Sequence, residues 1–431
     1  MSRKIYIDSI KYEDREQIMK DLQIKLEGST FAYNSKPTYI YPIDVQDDFA
    51  YIPFAYGRSC PGGPFLCPER ETYKKIDIKF GGKLRPNQQE VKKEAISHLN
   101  KYGSTIIAAY PGFGKTASAI YISTKIKLKI MIVTHRIVLI KQWKASIAKF
   151  CPGSTVQVLS AKSEMKDCDF YIMNASNVSK HDVEYYKDIG FLIVDEVHLI
   201  MAEGLSKCMQ RIVPRYVMGL SATPYREDGL NILLDLYFGK RKIYRKLFRK
   251  HTVYKINTNF VPTVEFANNG RVNWGVLLDS QSNDRKRNEM IVKLVKYFPK
   301  RVFLILCKRV NQGKYLVQRL NEEGESVTSL IGKQQEYEQK SRILVGTSSK
   351  AGTGFDHPRL DAMILASDIQ AYFIQYLGRC MRTEEVVPIV FDIVDKNPIL
   401  DKHFRVRRST YIEHGGSITD FSKKFPDFNI C

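Results

Sequence analysis

The sequence predicts an α/β protein of two parallel-sheet lobes in tandem behind a small β-rich module. Three observations carry that prediction. From Leu84 onward, short apolar runs alternate with segments of helical period, the pattern of a parallel sheet covered by helices on both faces. The alternation pauses at a basic stretch, KRKIYRKLFRK (240–250), and then resumes, which gives two lobes. Ahead of them, residues 1–83 are rich in Tyr, Pro and Gly and hold only short alternating runs.

The elements follow in order. KIYID and YKKIDIKF read as strands of the first module, which closes at the turn Gly81-Gly82. The first lobe, 84–257, takes its strands from TIIAAY, KIMIVTH, DFYIMNAS, FLIVDEVH and YVMGLSAT, with IVLIKQWKASIAKF as a helix. The second, 258–431, takes RVFLILC, RILVGTSS, LDAMILAS and PIVFDIVD, with a helix around 369–382. No internal repeat or low-complexity tract is present.

The composition narrows the class. The chain has 431 residues, 44% hydrophobic and 26% charged, which excludes a disordered or fibrous protein. No apolar stretch approaches the roughly 18 residues of a membrane span, and the opening MSRKIYIDSIKYEDRE has no apolar core of a secretory signal. Eight cysteines are scattered without a CxxC pair. This fits an intracellular, reducing compartment, with Cys60 and Cys67 read as loop cysteines. The net charge is +21, and residues 84–257 carry 28 basic against 14 acidic side chains. That excess points to a polyanionic partner, nucleic acid most simply.

AAYPGFGKT lies between a strand and a helix. A loop of small residues entering a helix offers backbone N–H groups to phosphate. Ala109, Tyr110, Pro111, Gly112, Phe113, Gly114, Lys115 and Thr116 form this candidate cradle, with Lys115 toward the β- and γ-phosphates and Thr116 as a Mg²⁺ ligand. Ala109 stands where the usual pattern has its first Gly; Gly112 and Gly114 supply the backbone freedom. Eighty residues on, the buried strand FLIVDEVH ends in two acids. Asp195 is read as the Mg²⁺ holder, Glu196 as general base, and His198 as a link from the nucleotide to its neighbours.

LRPNQQ (84–89), AYPGFGKT, DEVH (195–198), GLSATPYREDG (219–229), GTSSKAGTGFD (346–356) and QYLGRCMR (375–382) follow one another in this order. The series resembles the motifs of superfamily 2 helicases over about residues 84–410. Arg226-Glu227-Asp228, Gln375 where DEAD-box proteins have His, and the basic segment 403–416 bring it near the XPB and UvsW type and the transcript-release helicases of large DNA viruses. The resemblance implies two tandem RecA-like lobes, ATP and Mg²⁺ in the cleft between them, and nucleic acid across both. It assigns Gln88, with Arg85, to the adenine edge, although Asn87 departs from the aromatic residue common there. Ser221 and Thr223 fall to coupling, and Gly354 and Asp356 to the ribose and the cleft. Gln375, Arg379 and Arg382 join the catalytic set, the two arginines toward the γ-phosphate. Thr134, His135, Arg136 and Arg226 in the first lobe, and Lys308, Arg309 and Thr347 in the second, match nucleic-acid contacts. Gln142 and Trp143 are read as helix packing, with base stacking as the alternative for Trp143. The run 240–250 is either a solvated face or part of a DNA path.

The expected activity is therefore an ATP-dependent DNA helicase or translocase on single-stranded or branched DNA, held mainly by backbone contacts. Viral transcription, repair or recombination are the expected settings, with protein partners from those processes and the virion or a viral replication site as candidate places. The alternatives are an RNA helicase, a duplex translocase that does not unwind, and a non-catalytic nucleic-acid scaffold. Restriction-type motor subunits share these motifs, but no nuclease-like segment accompanies them.

Overall fold

The computed structural model describes residues 2–25, 39–65, 69–200, 210–222, 231–268, 270–334, 336–351, 357, 359–369, 373–380 and 386–431. The chain divides into two compact units, Met1–Arg245 and Lys246–Cys431.

The first unit is built on a seven-stranded parallel sheet. Its order is Lys242–Arg245, Ser104–Ala109, Tyr216–Ser221, Phe191–Asp195, Ile130–Thr134, Phe170–Asn174, Val156–Leu159. Alternate residues of each strand enter different cores. Ile106, Val133, Leu192, Val194 and Val217 pack on one face. Ile107, Ile132, Phe191, Ile193 and Met218 pack on the other. With both faces covered, the strands read as continuous apolar runs and not as alternating ones.

The helix Pro86–Tyr102 leads into the sheet. Pro86 suits its first turn, and the Arg85 backbone N–H donates to Gln88 Oε1 at 2.8 Å. Gly103 ends it at φ 75°, and a Cβ there would meet the Phe54 ring at 3.1 Å.

The amino-terminal module is a three-stranded antiparallel sheet, Ser2–Tyr6, Phe49–Pro53, Asp44–Gln46, with a helix at Tyr12–Asp21. Ile5, Ile18, Leu22 and Ile52 close its core. The Ser2 N–H donates to the Ile212 carbonyl and the Ala55 N–H to Leu236, so the module belongs to the first unit.

The second unit holds another seven-stranded parallel sheet, ordered Val327–Leu330, Ile343–Thr347, Phe303–Cys307, Ala362–Leu365, Ile389–Val394, His251–Asn257, Gly416–Asp420. His251–Asn257 pairs with Ile389–Val394, so the chain enters this unit at Lys246, ahead of the 257/258 line drawn from sequence. Two buried ion networks brace it. Arg287 Nε donates to both oxygens of Asp395 at 2.9 and 3.0 Å, with neither side chain exposed. Arg407 bridges Asp392 and Asp368.

The run 240–250 is divided between the units. Lys242–Arg245 is an edge strand on Ser104–Ala109, where Arg245 pairs with Glu94 and Glu90. Lys246 pairs with Glu413 in the second unit. Part of this positive charge is thus matched within the protein. Among the described residues no helix is long and apolar enough to cross a membrane.

Candidate functional site

Four strands of the first sheet end on one edge. The phosphate loop follows Ser104–Ala109, the acidic pair follows Phe191–Asp195, Ser221 ends its own strand, and Thr134, His135 and Arg136 follow Ile130–Thr134. Ligands of open parallel sheets bind at this carboxyl edge.

The loop turns through positive φ at Gly112 (85°) and Gly114 (90°) and enters the helix Lys115–Ile126. A Cβ at Gly114 would stand 2.3 Å from Gln88 Nε2, so both backbone angle and space call for glycine. Arg85 and Gln88 pin the loop from behind. Arg85 donates to the carbonyls of Phe113 and Gly112, and Gln88 Nε2 donates to Phe113 at 2.9 Å. The amide that the resemblance gives to the adenine edge is buried, with its oxygen accepting from Arg85 and its nitrogen on the loop. Lys115 Nζ donates to the Ala109 carbonyl at 2.7 Å, across the mouth of the loop. Thr116 is in the first turn of the helix.

Asp195 is buried. Its Oδ2 accepts from Trp143 Nε1 at 2.8 Å and its Oδ1 from the Glu196 backbone N–H at 3.0 Å. Burial, and then the charge of Glu196, push the Asp195 carboxyl well above the usual carboxylate range; Trp143 and Lys115 pull it back. Glu196 has φ 50°, a left-handed conformation costly for a residue with a Cβ. Its Oε2 is 3.6 Å from His198 Nδ1, which is 2.8 Å from Ser221 Oγ. Carboxylate pair, His198 and the serine of the SAT motif are therefore one cluster.

This arrangement fits Mg²⁺ and a nucleotide. Two adjacent carboxylates disfavour each other's charge, and a divalent cation removes that repulsion. The hydroxyl of Thr116 and the carboxylate of Asp195 are hard oxygen donors of the kind Mg²⁺ takes, and the glycine cradle leaves room for phosphate.

Sequence reasoning missed the role of Trp143. It is 1% exposed and packs beside Leu139 and Ile147 as expected, but its indole N–H also holds Asp195. The signal was available, because a buried indole N–H almost always finds a partner.

Of the first unit's expected nucleic-acid residues, Thr134 is buried and both ring nitrogens of His135 are buried without a hydrogen-bond partner. Burial, then the charges of Arg136 and His198, push the His135 pKa down to about 4. Arg136 is half-exposed at the start of Ile137–Phe150. In the second unit, Lys308 and Arg309 follow Phe303–Cys307, and Thr347, buried like Thr134, ends its strand. Arg309 is engaged by Asp279 at 2.8 Å and the Gly275 carbonyl at 2.9 Å. Arg379 is half-buried on the helix Phe373–Cys380, which Tyr376 ties to the Ser348 carbonyl at 2.6 Å. Thr223, Arg226, Gly354, Asp356 and Arg382, the side chain of Gln375, and Cys67 lie outside the described residues.

Comparisons with known proteins bear on this edge and on the whole chain. A family model described as "Type III restriction enzyme, res subunit" matches residues 81–226, which hold the phosphate loop and the acidic pair. "Putative helicase 161L" of Invertebrate iridescent virus 6 is 38% identical over 448 aligned residues, covering 98% of this chain and 100% of that protein. "DNA 3'-5' translocase XPB2" of Sulfurisphaera tokodaii is 30% identical over 177 residues, 40% of each chain. Among solved structures, S. cerevisiae Dbp5 bound to RNA and ADP BeF3 aligns with a TM-score of 0.54 at 14% identity, covering 79% of this chain and 95% of that one, a likeness of fold. The two parallel sheets are RecA-like lobes, and the chain belongs to the superfamily 2 helicases.

Proposed function

We propose that this helicase is an ATP-driven translocase whose track is DNA. The observation that carries the reading is the acidic pair Asp195-Glu196, held by the Trp143 indole and a left-handed backbone on the sheet edge that also presents the phosphate loop. Thr116 and Asp195 would hold Mg²⁺, which when bound draws charge from the phosphates. Lys115 leaves its loop carbonyls for the β- and γ-phosphates. Glu196 orients the attacking water and accepts its proton. His198 and Ser221 couple the state of this pair to the strand Tyr216–Ser221. Arg379 and Arg382 keep the role toward the γ-phosphate that the resemblance implies, and Arg136 and Lys308, both part-exposed, remain the proposed backbone contacts.

DNA as the track is supported by the charge of +21, by Gln375 in place of the histidine of DEAD-box proteins, and by the DNA translocase named among the relatives. Contacts of this kind read little sequence and weaken steeply with salt. Similarity to a putative helicase of Invertebrate iridescent virus 6 supports a role in viral transcription, repair or recombination.

Purified Glu196→Gln protein tests the base. It should keep DNA binding and lose DNA-stimulated hydrolysis by at least 100-fold; retained hydrolysis removes Glu196 from that role. Stronger stimulation by RNA than by DNA would move the track to RNA.

A further inference from the structure

Trp274 is the first residue of the helix Trp274–Asn283 in the second unit. Asn273 caps that helix, its Oδ1 accepting from the Gly275 N–H at 3.1 Å and the Val276 N–H at 3.4 Å. The indole is 37% exposed. One face lies on the His403 imidazole, with ring centroids 5.1 Å apart and planes 24° from parallel.

That support is braced from below. His403 Nδ1 is 2.6 Å from Asp368 Oδ2, and the other oxygen of Asp368 accepts from Arg407, itself bound to Asp392. Arg309 clamps the helix start through Gly275 and Asp279. Asp368 follows the strand Ala362–Leu365, and the Lys308 N–H donates to Ser367 Oγ at 3.1 Å. The ring thus stands beside the carboxyl edge of the second sheet. Lys308 is half-exposed there. An aromatic plate backed by a fixed imidazole and partly exposed needs little ordering to accept a flat ligand.

We propose that Trp274 is a stacking platform for one base of a single strand, with Lys308 taking a flanking phosphate. The inference rests on the nucleic-acid track proposed above and adds to it a contact that sequence motifs do not mark. Stacking is tolerant of base identity, and Ala substitution of such residues weakens binding by about 5- to 150-fold.

The test uses the full chain and fluorescein-labelled oligo-dT, with binding read by anisotropy across a salt series. Trp274→Ala should weaken binding within that range while leaving the salt slope unchanged, because no phosphate contact is lost. Trp274→Phe should recover most of the affinity, and Lys308→Ala should instead lower the slope. Tryptophan emission should be quenched when oligo-dT binds the wild type, and this quenching should shrink in Trp274→Phe, a readout independent of how well the Ala variant folds. Affinity within twofold of wild type in Trp274→Ala, with equal quenching in wild type and Trp274→Phe, overturns the platform. A weaker Trp274→Ala with a reduced salt slope also overturns it, since the ring would then only order nearby cations. Wild type that binds no single strand removes the track itself, and the platform with it.

Discussion

Replacing Trp143 by Phe isolates one hydrogen bond of the acidic pair. The benzyl ring still fills the core beside Leu139 and Ile147, but the donor to Asp195 Oδ2, 2.8 Å away, is gone. A hydrogen bond to a charged group is worth about 1.5–3 kcal/mol. Asp195 is already pushed toward its neutral form by burial and by Glu196, with the indole among the groups opposing that push. Deleting the indole raises the free energy of the charged carboxylate by roughly that amount. Since a cation binds the charged form, the Mg²⁺ concentration for half-maximal hydrolysis should rise about 10- to 150-fold, at 1.36 kcal/mol per tenfold. The assay is DNA-stimulated ATP hydrolysis against free Mg²⁺, with circular-dichroism melting to confirm the fold. A folded Trp143→Phe protein with wild-type Mg²⁺ dependence would refute the reasoning.

Three further outcomes are expected. Gly114→Ala forces a Cβ to 2.3 Å from Gln88 at φ 90°, so nucleotide affinity should fall at least tenfold in a fluorescent-nucleotide titration. His135 has its pKa depressed to about 4 by burial first and then by Arg136 and His198. Between its ordinary value near 6.5 and about 4, the unfolded chain therefore takes a proton that the folded one refuses; stability falls by up to about 3 kcal/mol as pH drops through that window, and urea midpoints should show this limb flattened in His135→Leu. Arg287→Met strands the unexposed carboxylate of Asp395 and should cost about 3–5 kcal/mol in denaturant unfolding of the full chain.

The two sheets were legible because their strands are buried on both faces. FLIVD is continuous in sequence since Ile193 and Val194 enter different cores. The phosphate loop was legible because phosphate contact demands glycine, lysine and a hydroxyl in a short span. What sequence left obscure comes from contacts between distant residues. Trp143 meets Asp195 and Trp274 meets His403 only after the sheets are assembled, and no motif along the chain marks either contact. The resemblance gives Gln88 to the adenine edge, and nothing along the chain shows that its amide also joins Arg85 to the Phe113 carbonyl of the loop. The boundary escaped because His251–Asn257 alternates buried and half-buried residues in place of a clear apolar run. The basic run 240–250 has its apolar residues at a spacing open to helix or strand, and only pairing with Ser104–Ala109 makes Lys242–Arg245 an edge strand.

The decisive measurement is ATP hydrolysis by the purified full chain with saturating single-stranded DNA, duplex DNA or RNA, beside Lys115→Ala and Glu196→Gln proteins. A DNA translocase gives many-fold stimulation of the wild type by DNA, weaker stimulation by RNA, and silence in both variants. No hydrolysis by the wild type with any of the three, despite binding, would contradict it and leave a nucleic-acid scaffold on a RecA-like core.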